Sequence, residues 1–472
     1  MAINYSASNA PSPSPSPADG GEEGTPTNDE LREWDRHHYW HSFTPMQAYE
    51  PLVIERAEGA TLIDIDGKRY LDGAASMWCN VHGHNHPAIN DAIRTQLDKV
   101  AHTTSLGMGN ATTIKLARRL AEISPGNLEH VFFSSDGASA IEVALKAAFQ
   151  YWRQCARPRP EKTKFIALGE AYHGDTLGAA AVGGIERFHA LFEPLLFDVI
   201  RFPSPDARRR PAEAEHFLRQ LEALLQEHHT EVAAMVMEPL VQCAAGMVMH
   251  PPGFLRGVRE VTRRYDVLLI VDEVATGFGR TGTMFACERE DVVPDFLCLG
   301  KGISGGYLPL SATITNGEIW KAFLGDADAG RTLFHGHTYS GNPLACAAAL
   351  ASLDLFAQEH TLERLHEKIA RLGKHLERIA PHPNVAHVRQ CGLIGAFDLV
   401  ADKSTATPFP PEHAIGRKIA QYALERGVWI RPQPHFAYVM PPLSITLEEL
   451  DYIMNTIETG LNSQPLMSAN CR

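Results

Sequence analysis

The sequence predicts an α/β protein built on a mainly parallel sheet with a smaller α+β domain, and three observations carry that expectation. Short apolar runs alternate with segments of helical periodicity from about residue 85 to residue 340. The clearest runs, residues 267–271 (VLLIV) and 296–299 (FLCL), lack polar alternates, as strands covered on both faces do. Asp272 and Lys301 stand just past those two runs, at the strand ends where open α/β sheets place their ligands.

Taken in chain order, residues 1–28 are Ser, Pro, Gly and acid with almost nothing apolar. Such a segment cannot offset its ordering entropy by burial, so it reads as a disordered tail. Residues 29–84 form the first part of the small domain, where LVIERAEGATLIDIDGKRYLD reads as an antiparallel meander turning at Asp66-Gly67. Residues 85–340 form the large domain, with helices such as IKLARRLAEI and SAIEVALKAAFQYW between the strands HVFFSS, KFIALG, AAMVMEPL and VLLIVDE. Residues 341–465 open with the long helical stretches LACAAALASLDLFAQE and LERLHEKIARLGKHLERIA, then mix strands (LIGAFDLV, GVWIRP, AYVMPP) with helices. Residues 466–472 are a second tail, and no internal repeat is present.

Composition narrows the function. The 472 residues are 44% hydrophobic and 21% charged, as in an ordinary globular protein long enough for more than one domain. A formal charge of -13 without a Lys/Arg run argues against a nucleic-acid partner. No apolar stretch approaches the ~20 residues of a membrane span. The eight cysteines are scattered without a CxxC pair, and the N-terminus lacks a basic start followed by an apolar core. A cytoplasmic protein is the expectation.

Several motifs bear chemistry, each with a plainer reading beside it. An acid and an amine delivered to one crevice by Asp272 and Lys301 suit pyridoxal phosphate, with Lys as Schiff base and Asp as partner of the pyridinium nitrogen. The plainer reading is a helix cap and a solvated lysine. Ser134-Ser135-Asp136-Gly137-Ala138-Ser139 joins a strand to a helix, and its backbone N–H groups and the dipole would suit a phosphate, or simply an N-cap. Tyr172, after KFIALG, has the residue type to stack on a planar ring, or to fill a loop. Residues 277–282 (GFGRTG) match the dinucleotide fingerprint, but five residues separate them from the strand, which argues against a nicotinamide site. Arg280 inside that loop reads as a carboxylate clamp or an ion-pair partner. The histidine groups 37/38/41, 82/84/86 and 335/337 have no acid or cysteine pair at ligand spacing, so no catalytic metal is expected. Arg431, at the end of GVWIRP, is suited to bidentate carboxylate recognition or to a surface salt bridge.

In their order and separation Glu238-Pro239, Asp272-Glu273-Val274, GFGRTG and Leu299-Gly300-Lys301-Gly302 resemble the class III aminotransferases of the fold-type I pyridoxal-phosphate superfamily. The likeness covers nearly all of the chain after residue 30. Within the class it is strongest toward the members that aminate 8-amino-7-oxononanoate on the way to biotin, usually with S-adenosylmethionine as donor. WDRHHYWHSFT, SMWCNVHGHNHP, FHGHTYSGNPLACAAA and RGVWIRPQPHFAYVMPP carry that closer likeness.

The resemblance implies a homodimer with shared sites and a role for each matched position. Lys301 would hold pyridoxal phosphate and shuttle the proton, Asp272 would keep the ring nitrogen protonated, and Tyr172 would stack on the ring. Gly137 and Ala138 would bind the phosphate through backbone N–H groups, with Gly336, His337 and Thr338 reaching it from the neighbouring subunit. Arg431 would take the substrate carboxylate, with Phe43, Met77, Trp78, Arg280, Gly336 and Tyr438 at the substrate. Many members that use the methionine-derived donor have Trp where Met77 stands, Tyr for Phe43, Pro for His337 and a hydroxyl residue for Ala138. These changes cluster on the donor side, where some members use lysine. Other class III enzymes, acting on β-alanine, 4-aminobutyrate, ornithine or a diamine, are the alternative.

Overall fold

The computed structural model describes residues 25–208 and 214–463, so most of the tail expected over 1–28, and all of that over 466–472, lie outside the described residues. Two compact units cluster separately: residues up to 56 with 63–68, and residues 57–62 with 69–472.

In the first unit helix α1 (Asn28–His38) opens on a capping box: Thr27 Oγ1 accepts from Glu30 N at 3.2 Å and Thr27 N donates to Glu30 Oε2 at 2.7 Å. That cap starts the helix inside the last residues expected to belong to the tail. Asp35 accepts hydrogen bonds from His41 Nε2 and the Tyr49 hydroxyl, each at 2.8 Å. Burial, and then this carboxylate, push the Tyr49 phenol up to about 12. The expected turn is present, with Asp64 Oδ1 accepting from Asp66 N and Lys68 N at 3.0 and 2.9 Å.

Strands β1 (Ile54–Glu58), β2 (Thr61–Asp64) and β3 (Arg69–Asp72) follow in the chain. The centre of the second unit is a seven-stranded sheet made of β4 (Leu128–Ser134), β5 (Lys164–Leu168), β6 (Ile200–Phe202), β7 (Val232–Met237), β8 (Leu268–Asp272), β9 (Phe296–Leu299) and β10 (Ser311–Asn316). Its order is β4-β10-β9-β8-β7-β5-β6. The strands from β9 to β6 run parallel, whereas β10 is antiparallel to both β9 and β4.

Successive residues of β8 enter opposite cores: Leu269 and Val271 join one apolar cluster, Leu268 and Ile270 the other. Burial on both faces is why its sequence is an unbroken apolar run rather than an alternation. The antiparallel β10, SATITN, escapes such reading because it is half hydroxyl. Thr313 Oγ1 donates to Ala140 O at 2.7 Å and Thr315 Oγ1 to Asp295 O at 2.8 Å, which satisfies two of its three hydroxyls, while Ser311 Oγ is buried without a partner.

Helices α2 (Pro87–Leu97), α3 (Ala111–Ile123) and α4 (Gly137–Gln154) precede and flank the sheet in sequence, and α5 (Pro343–Gln358) and α6 (Thr361–Ile379) follow it. Beyond them β11 (Val385–Cys391) and β14 (Phe436–Val439) both pair antiparallel with β12 (Ile394–Asp402). The two-residue strand β13 (Val428–Trp429) lies parallel to β3, with Trp429 opposite Asp72. Every cysteine among the described residues is free, and no helix there is long and apolar enough to cross a membrane.

One buried group sets an acid limit on the fold. Neither ring nitrogen of His250 has a partner, and burial pulls its pKa down to about 3. The folded protein therefore keeps His250 neutral while the unfolded chain binds a proton below its ordinary value near 6.5. Its contribution is complete above that value and is lost as pH falls toward 3. The difference reaches about 2 kcal/mol at pH 5. His250→Phe should match wild type in Tm at pH 7.5 and lose less of it by pH 5. Parallel acid limbs for the two proteins in thermal melts would refute this.

Candidate active site

Parallel pairing in the sheet brings the acid and the amine together. Asp272 is in register with Cys298 on β9, and the chain passes from there through Leu299 and Gly300 to Lys301. Both residues line one cavity of about 720 Å³. The same cavity is lined by Gly137, Ala138, Tyr172 and Trp78, so six of the expected positions converge.

One wall of this cavity is the start of α4. Asp136 caps the helix, its two carboxylate oxygens accepting from Ser139 N at 2.9 Å and Ser139 Oγ at 3.0 Å. Gly137 and Ala138 thus present first-turn N–H groups at the cavity wall. A Cβ on Gly137 would come within 2.7 Å of Val274, so the strand-end loops allow only glycine here without a shift. Gly174, at φ +120°, brings its backbone so near that an added Cβ would lie 2.3 Å from that of Ala138.

Asp272 is buried and doubly anchored. Its Oδ2 lies 2.7 Å from His173 Nδ1, and its Oδ1 accepts from Val274 N at 3.0 Å. His173 Nε2 is buried without a partner. Behind this pair Glu238 accepts from Tyr172 N at 3.2 Å and Cys243 N at 3.1 Å. Complete burial is the main reason its carboxyl rises to about 7. The Tyr172 hydroxyl donates to Asp175 at 2.7 Å, and burial followed by that bond pushes its phenol upward.

Lys301 sits in a tight turn with φ +43°, a left-handed conformation uncommon for a side-chain-bearing residue. Its ammonium is 5.2 Å from the centroid of the Trp78 ring. Trp78 Nε1 in turn donates to the Tyr438 hydroxyl at 3.3 Å, and burial pushes that phenol up to about 12. Arg431 Nη1 donates to Met77 Sδ at 3.7 Å. Met77, Arg431 and Tyr438 therefore adjoin Trp78 rather than line the cavity directly.

Arg280 lies behind the cavity wall rather than among its lining residues. Expected at the substrate, it is instead buried, donating through Nη1 to Pro441 O at 2.5 Å and through Nη2 to Asn80 O at 3.4 Å. Loss of hydration lowers its pKa to about 10. Its guanidinium fastens three chain segments together through these two backbone carbonyls.

Gly336, His337 and Thr338 do not line the cavity of their own chain. Their segment is strapped to α4, where Lys146 Nζ donates to Phe334 O at 2.8 Å and Gln150 Nε2 to Thr332 O at 3.2 Å. Phe43 belongs to the first unit, where it is exposed and has φ +53°. Among the described residues no cluster of three His, Cys, Asp or Glu side chains is placed to hold a metal.

Neither His173 nor Glu238 takes a role from the sequence alone. Adjacency of His173 to Tyr172 at a strand end was the available signal.

The profile of the aminotransferase class-III family matches residues 44–461. The chain is 50% identical over 440 residues to adenosylmethionine-8-amino-7-oxononanoate aminotransferase of Nitratidesulfovibrio vulgaris, covering 91% of this chain and 81% of that one. Among solved structures it is similar to the enzyme of that same name from Methanocaldococcus jannaschii, with TM-score 0.89, 42% identity, and coverage of 93% and 100% of the two chains. An (S)-enantioselective omega-transaminase from Thermomicrobium roseum superposes with TM-score 0.88 at 36% identity, over 93% and 99%.

Proposed function

This chain belongs to the class III aminotransferases, and from that premise we propose that it transfers an amino group to 8-amino-7-oxononanoate, giving 7,8-diaminononanoate in biotin synthesis, with pyridoxal phosphate as cofactor and S-adenosylmethionine as donor. One observation carries the cofactor reading: a single cavity is lined both by a capped helix N-terminus and by the Asp272–His173 pair with Lys301. The donor set fits the group. First-turn N–H groups suit a phosphate, a buried carboxylate suits a ring nitrogen that must stay protonated, and an amine suits an aldehyde.

Bound there, pyridoxal phosphate supplies an electron sink and carries the amino group between two half-reactions at one site. Lys301 Nζ takes the proton from the amine-bearing carbon of the donor and delivers it onward, the work of a positioned general base and acid. Asp272 holds a proton on the ring nitrogen and is itself held by His173 Nδ1. Tyr172 lines the cavity where it would hold the ring, and its bond to Asp175 orients the phenol. Arg431 binds the carboxylate of the keto acid. The same turn that presents Met77 to Arg431 presents Trp78 to Lys301.

Gly336, His337 and Thr338 serve the neighbouring subunit of a homodimer. Their exclusion from their own cavity supports this, as do the exposed apolar residues Leu106, Met108, Phe334 and Tyr339 around the segment. The enzyme works in the cytoplasm, a place consistent with its free cysteines.

A second reading concerns the donor alone: lysine, favoured by Met77 beside Arg431 where a Trp would be larger and stiffer. The test is a pair of half-reactions on protein loaded with pyridoxal phosphate. S-adenosylmethionine should bleach the visible absorbance, and 8-amino-7-oxononanoate should restore it. Bleaching by lysine alone would move the donor assignment. Failure of the keto acid to restore the absorbance would overturn the acceptor, in favour of an enzyme acting on β-alanine, 4-aminobutyrate, ornithine or a diamine.

A further inference from the structure

Four successive residues, Ala75, Ser76, Met77 and Trp78, have positive φ, at 47°, 46°, 67° and 74°. None is glycine. For L-residues the left-handed region is visited singly and at a cost, so four in a row persist only where the surroundings dictate them. The residues that this turn presents are Met77, against Arg431, and Trp78, against Lys301 and Tyr438. A costly backbone therefore sets the part of the cavity wall that Trp78 forms, with the Met77–Arg431 contact beside it.

The surroundings that dictate it converge on one carboxylate. Asp72 is fully buried. Its Oδ1 accepts from Ala74 N at 3.2 Å, and its Oδ2 from Ser76 Oγ at 2.9 Å and His84 Nε2 at 3.0 Å. His84 Nδ1 lies 3.2 Å from Asn80 Nδ2, so the amide donates to it and leaves the imidazole proton on Nε2, facing Asp72. Asn80 closes the loop: its N–H donates to Ala75 O at 3.1 Å and its Oδ1 accepts from Gly83 N at 2.8 Å.

Backbone presses on the turn from both sides. A Cβ on Gly306 would lie 2.8 Å from Cys79 O, and one on Gly73 would lie 2.8 Å from Ile430 and 3.0 Å from Trp429 O. Asp72 also stands opposite Trp429 in the β3–β13 pair, two residues before Arg431. The turn and the arginine thus spring from the same strand pair.

We propose that Asp72 is a positioning residue of the substrate pocket, holding residues 75–78 left-handed through Ser76 and the Asn80–His84 relay so that Trp78 faces the cavity and Met77 meets Arg431. Its kinetic consequence rests on the aminotransferase reading above, and its structural consequence does not. Ser76→Ala removes one of the three bonds to Asp72 and should leave Tm within a few degrees. It should raise KM for donor and keto acid about fivefold or more while kcat falls less, because the wall binds substrate and performs no proton transfer. Ser76→Thr retains the hydroxyl and should restore KM, and Asp72→Asn should shift KM further than Ser76→Ala.

Near-UV circular dichroism of protein stripped of cofactor separates this idea from the functional reading. Trp78→Phe identifies the band of Trp78. Ser76→Ala should weaken that same band and Ser76→Thr should recover it, whatever reaction the protein catalyses. Unchanged KM and an unchanged Trp78 band in Ser76→Ala and Asp72→Asn would overturn the proposal. So would failure of Ser76→Thr to rescue either one.

Discussion

Lys301→Ala is expected to lower kcat by on the order of a thousandfold or more, since loss of a positioned acid–base group alone is worth about 10²–10⁴. The geometry explains why no neighbour replaces it. The other titratable groups around the cavity are carboxylates, phenols, the Cys79 thiol, whose pKa burial raises, and the His173 imidazole, whose Nδ1 is engaged by Asp272. The capped start of α4 is untouched, so the variant should still take up pyridoxal phosphate. Borohydride reduction should then fix the cofactor covalently to wild type and not to the variant. Activity above a tenth of wild type, or covalent fixation in the variant, would remove Lys301 from its place.

The same variant tests whether sites are shared. Thr338→Val should weaken cofactor binding about 10–100-fold, the loss of a hydrogen bond to a charged group. In a mixed dimer of Lys301→Ala with Thr338→Val, the one site that keeps its lysine receives Thr338 from the other chain. That site should recover wild-type affinity for the cofactor. A mixed dimer no better than Thr338→Val would show that Thr338 acts within its own chain.

Asp272→Asn is expected to cost about 10²–10³ in kcat with little change in KM. The loss equals that of one preorganised charge partner acting where charge develops. The substitution keeps the size of the side chain and a carbonyl oxygen for Val274 N, but removes the charge that faces His173 and that the proposed function assigns to the ring nitrogen. Asp272→Glu retains the charge at a displaced position and should recover part of the rate. A kcat for Asp272→Asn within a few-fold of wild type would mean that the ring nitrogen needs no ionised partner, and the electron-sink account would fail with it.

Several parts of this site were legible in the sequence because they are local. Asp272 and Lys301 follow apolar runs directly, so the same few residues announce the strand and what stands at its end. Gly137 and Ala138 follow the strand that delivers them, and Asp136 is a capping residue where a cap is required. Tyr172 is similarly close to the end of β5.

Other parts were invisible for an equally physical reason. Arg280 has the composition of a carboxylate clamp, and only its burial against Pro441 and Asn80 turns it into a structural fastening. The bond between His173 and Asp272 joins positions 99 residues apart. Strand β10 hides its two threonine hydroxyls in bonds to Ala140 and Asp295 that no local pattern encodes. The left-handed turn at residues 75–78 contradicts the preferences of its own residues and is imposed by Asp72.

The sequence by itself determined the class of sheet, the order of the motifs and the residues at the strand ends, since periodicity and punctuation are short-range properties. Tertiary structure alone decided which polar groups face the cavity and which are spent on backbone. That choice depends on strand register and burial, where a buried polar group takes whichever partner the packing sets within reach.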